Sequence, residues 1–323
     1  MSHPRHDWLS IHVFLSDPER VERYVRESLD SAIQKWRANG DLDRWFFIRY
    51  WEGGPHLRIR LCGRIVQDEE RAIQVLSERI AEFRSDKPPT REEYYRSHAF
   101  DGAPVVVEDL PWYTEGTVAK IGYEPEILRY GGEDAIEFNE QLFELSSRLA
   151  LSLCKATQGN GSGRLSSAFA LMAAAILACD EDLPGLANYF RRYGSLWASM
   201  TGHEALGTEL PQPSEDQLKL LLRLEQEALA GWNERSAHAV WAAGVRQLAQ
   251  RLRSLHQQGR LSAPYEGGRT VGDDMCKNAV LAIVGSQIHM LNNRLGIPPA
   301  GEFLLARILA GAANALKRQG AMA

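Results

Sequence analysis

The residues best suited to chemistry are arginines, carboxylates and one histidine, spread over three segments. In His56-Leu57-Arg58-Ile59-Arg60-Leu61 a period of two sends Leu57, Ile59 and Leu61 to one face of a strand. His56, Arg58 and Arg60 go to the other. Two guanidinium groups on one face present forks that match a carboxylate or phosphate. The same alternation also describes the solvated outer face of an antiparallel sheet, and spacing alone favours that reading. In the second segment, Glu126 and Arg129 are three apart and share a face if the chain makes a helical turn there. In isolation they read rather as a surface ion pair just before a helix that begins at Glu133. The third candidate is His289, which follows a run of small apolar residues in a predicted helix. Imidazole titrates where general acid/base chemistry needs it, although a lone histidine at such a place is more often a satisfied interior one.

Several standard constellations are missing. The chain has no GxxxxGK[ST], no HExxH and no GxSxG, and its nine histidines include no i, i+4 pair. No metal or nucleotide cofactor is expected. Among 323 residues, 44% are hydrophobic and 24% charged, with 8 Trp, 10 Tyr and 10 Phe, which excludes a disordered chain. A net charge of −5 argues against a dedicated nucleic-acid coat. Cys62, Cys154, Cys179 and Cys276 form neither a CxxC pair nor a disulfide framework and read as reduced core residues. The polar N-terminus lacks the apolar stretch of a signal peptide, and no apolar run approaches the roughly 20 residues of a membrane span. These features predict a soluble cytoplasmic protein.

The elements that must position the candidates follow from periodicity. Trp8 to Leu15 alternates as a strand, and Asp17-Pro18 opens a helix running to about Ala38. Arg44 to Trp51 and His56 to Cys62 form a hairpin across Glu52-Gly53-Gly54-Pro55. Val66 to Phe83 reads as an amphipathic helix, and Val105 to Val107 as the next strand. Thr117 to Tyr123 is a further strand candidate within the irregular stretch from Lys87 to Gly132, whose length marks it as functional. Helices are predicted from Glu133 to Thr157, Leu165 to Cys179, Glu215 to Ala230, Ala237 to Leu255, Asp273 to Leu295 and Ala300 to Lys317. A Gly-rich break is expected from Gln158 to Arg164. The expected fold class is α+β. A ferredoxin-like β-α-β-β-α-β sheet layer with a long functional loop fills 1–132, packed on a helical lobe at 133–323.

Taken together, the three segments resemble a known family. Trp45-Phe46-Phe47-Ile48-Arg49-Tyr50 with the His56 strand is similar to the start of the C-terminal, glutamate-eliminating domain of lantibiotic dehydratases. The likeness continues through Tyr123-Glu124-Pro125-Glu126, Arg129-Tyr130-Gly131-Gly132 and Ser286 to Arg294, in the family's order. A chain this short has no room for the large glutamylating domain. It resembles the stand-alone form, often called a thiopeptide-type bacteriocin biosynthesis protein.

The resemblance implies a lyase that removes glutamate from glutamylated Ser or Thr of a ribosomal precursor peptide, leaving dehydroalanine or dehydrobutyrine. It implies Arg58, Arg60, Glu126, Arg129 and His289 as the elimination residues, lining one pocket between sheet layer and helical lobe. His289 would take the α-proton, and the arginines would stabilise developing negative charge. Glu126 would orient an arginine or pair with His289. Expected partners are a precursor peptide with its leader and a separate glutamylating dehydratase subunit, with no cofactor, membrane or nucleic acid. The same fold also implies an alternative, a formal [4+2] pyridine synthase that macrocyclises a dehydroalanine-containing thiopeptide precursor. A binding subunit without chemistry, holding leader or partner, is the third reading.

Overall fold

The computed structural model describes residues 7–97, 107–201, 210–232 and 235–320. It divides into two units, Met1–Pro125 with Ala150–Ala156, and Glu126–Leu149 with Thr157–Ala323. The first unit is organised by its alternating strands. β1 (Leu9–Phe14), β2 (Arg44–Tyr50), β3 (His56–Cys62) and β4 (Val118–Lys120) form one sheet in the order β2-β3-β1-β4. Every neighbouring pair is antiparallel. The fourth strand therefore comes from within Thr117 to Tyr123. Val105 and Val106 lie outside the described residues, and Val107 opens a 3-10 turn, Val107–Asp109.

One face of this sheet carries the core. Leu9, Ile11 and Val13 of β1 and Leu57, Ile59 and Leu61 of β3 are buried with Val21, Val25, Leu29, Ala32 and Trp36. The latter five lie on α1 (Pro18–Tyr24), a π-helical turn (Val25–Leu29) and α2 (Asp30–Ala38), which run on without interruption. The Asp17 carboxylate caps the start, accepting from the Glu19 and Arg20 amides at 2.9 and 3.1 Å. The helix expected over Val66 to Phe83 is shorter. α3 (Glu69–Ser77) stops where Glu78 turns extended and Arg79 adopts a left-handed φ of 61°. After that bend a 3-10 turn, Ile80–Glu82, brings Phe83 edge-on against buried Tyr24 at 5.3 Å. α4 (Arg91–Ser97) lies in the irregular stretch.

The second unit is helical. It contains most of α5 (Ile136–Ala156), then α6 (Gly161–Leu177), α7 (Leu183–Thr201), α8 (Glu215–Ala230), α9 (Ala237–Gln257), α10 (Gly272–Leu295) and α11 (Pro299–Gly320). α6 starts inside the expected Gly-rich break because Asn160 caps it, its side chain accepting from the Gly163 amide at 2.8 Å. Ala168 through Leu177 are all buried, and α6 packs against α8, α9 and α10. α7 was not anticipated. It lies along α11 and buries Leu186, Phe190, Tyr193 and Trp197, spaced three or four apart as a helix face requires. Among the described residues no helix is long and apolar enough to cross a membrane. All four cysteines are free and buried.

The segment before α5 turns on two glycines at φ 90° and 99°, Gly131 and Gly132. A Cβ on Gly132 would stand 2.6 Å from the Ser262 Oγ, whereas one on Gly122 would meet nothing within 4 Å. Gly132→Ala is expected to destabilise the protein by about 1–3 kcal/mol. A urea denaturation midpoint that falls for this variant and stays fixed for Gly122→Ala would bear this out.

Candidate functional site

In the sheet unit, the face opposite the core is lined by alternate residues of β1 and β3. Register sets Ser10 opposite Arg60, His12 opposite Arg58 and Phe14 opposite His56. This face is not the solvated surface that spacing favoured. His56 and Arg60 are buried, and only Arg58 remains part-exposed. Aromatic residues that follow the hairpin in sequence supply part of the cover. Tyr113 stacks on Phe14 at 4.5 Å, and Tyr123 lies edge-on to Phe46 at 5.9 Å and beneath the Arg60 guanidinium at 5.0 Å.

Hydrogen bonding determines the form of His56. Its Nδ1 is 2.8 Å from the Gly54 carbonyl, which can only accept, so Nδ1 carries the proton. Nε2 then accepts from Arg58 Nε at 3.2 Å. The ring stacks on His12 at 4.7 Å. Burial lowers the His56 pKa to about 3, against the pull of the Gly54 carbonyl. His12 is pushed down to about 2 by burial, then by His56, Arg60 and Arg58. Arg58 lies over the Tyr50 ring at 3.4 Å, with Glu52 at 3.6 Å. Among the described residues Arg60 has no such carboxylate. Burial, then Arg58, lower its pKa to about 9, leaving it charged at neutral pH.

In the helical unit, Glu126 and Arg129 sit on one turn closed by Tyr130 N donating to the Glu126 carbonyl at 3.2 Å. The expected pairing on one face is present: Arg129 Nη1 donates to the Glu126 carboxylate at 3.2 and 3.3 Å. Arg129 Nε donates to Ser286 Oγ on α10 at 3.1 Å. Tyr265 reaches the same hydroxyl at 3.3 Å from a loop where its own φ is 66°. Asn139 on α5 joins turn to helix, donating to the Tyr130 carbonyl at 3.0 Å and accepting from Gln287 Nε2 at 2.9 Å.

His289 lies one helical turn beyond Ser286, so the two side chains share a face of α10. Its Nδ1 is 2.8 Å from Glu302 Oε1 on α11, while Tyr193 on α7 donates to Glu302 Oε2 at 2.7 Å. Trp197 packs against the imidazole at 4.7 Å. Both oxygens of Glu302 thus accept, Nδ1 of His289 carries a proton, and Nε2 is left as the basic nitrogen. The partner of His289 is therefore Glu302 and not Glu126, which serves Arg129. Glu302 carried a legible signal, a single acid in the apolar run of α11. Ser286 was marked only as the first residue of the family-like segment, and Tyr193, Tyr265 and His12 had no signal, because each acquires its role from a neighbour distant in sequence.

None of these residues lines the cavity of about 370 Å³ bounded by Cys179, Asp180, Glu181, Arg253, His256, Cys276 and Lys277. Its charges are largely spent on one another, Arg253 on Asp180 at 3.0 Å and Lys277 on Glu181 at 2.6 Å. Burial also pushes the Cys179 thiol up to about 12, which removes it as a nucleophile.

The two depressed imidazoles make stability depend on pH. An unfolded chain protonates them near 6.5, the folded chain only near 2 and 3. The unfolded state therefore binds more protons between these limits, and stability falls as pH drops below about 6.5. His12→Phe is expected to flatten the dependence of unfolding free energy on pH, measured by urea denaturation between about pH 4 and pH 7.

Comparison with known proteins places the fold. TbtD, a pyridine synthase from thiomuracin biosynthesis, is 16% identical with a TM-score of 0.67 over 97% of this chain and 99% of that one. TsrL is also 16% identical, with a TM-score of 0.66 over 97% and 95% of the two chains. The tRNA-dependent lantibiotic dehydratase MibB from Microbispora sp. 107891 is 21% identical with a TM-score of 0.50. That match covers 99% of this chain and 29% of MibB. No curated protein matches in sequence. The family model described as lantibiotic biosynthesis dehydratase C-term matches residues 8–313, so this chain belongs to the lantibiotic dehydratase C-terminal family.

Proposed function

We propose that this protein eliminates glutamate from glutamylated Ser or Thr in a ribosomal precursor peptide, using Arg58, Arg60, Glu126, Arg129 and His289. The observation that carries the reading is the His289–Glu302 pair one turn from the Arg129–Ser286 contact. Nε2 of His289 removes the α-proton, the Cα–Cβ double bond forms, and the Cβ–O bond breaks to release glutamate as a carboxylate. Glu302 holds the ring in the tautomer with a basic Nε2 and favours the imidazolium that forms. Arginine charge stabilises the enolate-like oxygen and the departing carboxylate, where each builds up. Glu126 orients Arg129. The sheet order β4-β1-β3-β2, with helices after β1 and β3, supports a ferredoxin-like reading of the first unit. A leader-bearing precursor peptide and a separate glutamylating dehydratase would be the partners, in the cytoplasm.

A second reading, the formal [4+2] pyridine synthase, draws on the fold shared with TbtD over nearly the whole of both chains. Mass spectrometry separates the two. On the elimination reading, a glutamylated Ser peptide loses a whole glutamate in the presence of this protein alone. If that peptide is untouched while a dehydroalanine-bearing peptide is cyclised, the synthase reading replaces it.

His289→Ala is expected to slow elimination by about 10²–10⁴-fold and to accumulate glutamylated peptide. Glu302→Gln should keep the fold and fall between His289→Ala and the unsubstituted protein. If the arginines and His289 serve one reaction, the rate losses of Arg58→Ala and His289→Ala combine less than additively in the double variant. Full additivity in single-turnover kinetics would count against a shared transition state.

A further inference from the structure

We infer that Ser10, His12 and Arg60 form a carboxylate-binding subsite on the sheet, with β1 contributing as much as the arginine strand. All three are only 3% exposed. Yet Ser10 Oγ, His12 Nε2, Arg60 Nε and Arg60 Nη1 are buried with no hydrogen-bond partner. Buried polar atoms are nearly always paired, so four orphans on adjacent strands demand an explanation. Ser10 lies directly opposite Arg60, and His12 follows it on the same face, opposite Arg58.

The orphans share a chemistry. Guanidinium nitrogens only donate, a serine hydroxyl can donate, and a neutral imidazole carries one N–H. A carboxylate offers about four lone-pair sites, enough to meet them together. Charge points the same way. Among the described residues Arg60 has no carboxylate partner, only the Tyr123 ring, and a buried cation without a counter-ion is costly. An incoming anion removes that cost. His12 is held neutral by burial and by the nearby His56, Arg60 and Arg58, so its Nε2–H tautomer donates without adding a further charge. That the carboxylate is the leaving glutamate rests on the elimination reading; the subsite itself does not.

The test is calorimetric titration of the full chain with L-glutamate, and separately with inorganic phosphate, for the unsubstituted protein, Ser10→Ala and His12→Phe. Each variant is expected to weaken glutamate binding on the order of tenfold. The melting temperature of the free protein should hold or rise in Ser10→Ala, because an unsatisfied buried hydroxyl has been removed. Ser10→Ala removes a single oxygen and decides the matter if His12→Phe fails to fold. Unchanged glutamate affinity in Ser10→Ala would overturn the subsite, as would binding of phosphate without glutamate. Elimination by a protein with no measurable affinity for glutamate would also overturn it while sparing the elimination reading. Serine-dependent glutamate binding without elimination would uphold the subsite and sink that reading instead.

Discussion

The helical unit depends on how one buried carboxylate is partnered. Glu302 has no exposure to solvent, and an ionised carboxylate taken out of water costs several kcal/mol unless its oxygens are met. They are met by Tyr193 from α7 and His289 from α10, while Glu302 itself comes from α11. Three helices must therefore hold one relative placement to better than the length of a hydrogen bond. The close packing of α7 along α11 supplies part of that rigidity. Gly285 supplies another part: a Cβ there would stand 2.5 Å from the Tyr189 hydroxyl, one turn before Tyr193. Burial and Glu302 raise the Tyr193 phenol well above its ordinary value of 10, so it remains a donor to the carboxylate.

The sheet unit presents the opposite case. Its core face is ordinary, but the other face of β1 and β3 is also largely removed from water and carries imidazole and guanidinium groups. Glu302 is fully partnered by protein groups, whereas Arg60 is left with buried donors unmet. A partnered anion beside a basic imidazole is a device for moving a proton. An unpartnered cation is a device for receiving an anion.

Much of the fold was legible because apolar periodicity is a local property. The first strand, the hairpin and the long helices after Glu133 stand within a few residues of their expected places. The departures from the expected elements have no single cause. The helix over Val66 to Phe83 is broken at Arg79, a residue with no marked preference for a left-handed φ. α7 went unseen although its aromatic spacing is helical. The outer-face expectation for Arg60 failed for a different reason: alternation in one strand reports two faces but not whether the second is covered.

The sequence by itself determined which residue types could do chemistry and which faces they share: Arg58 with Arg60, and Glu126 with Arg129. Strand period is a property of neighbours along the chain, so the first pairing needed no further information, whereas the second needed only the local turn at Glu126 to Tyr130. Only the tertiary structure decided the partners. Glu302 lies thirteen residues from His289 across a Gly-Ile-Pro-Pro break, Tyr193 more than a hundred residues from Glu302, and Ser10 fifty from Arg60. The raised pKa of Tyr193 and the lowered one of Arg60 depend on burial and on neighbouring charges. Both arise from packing, which one-dimensional spacing does not encode.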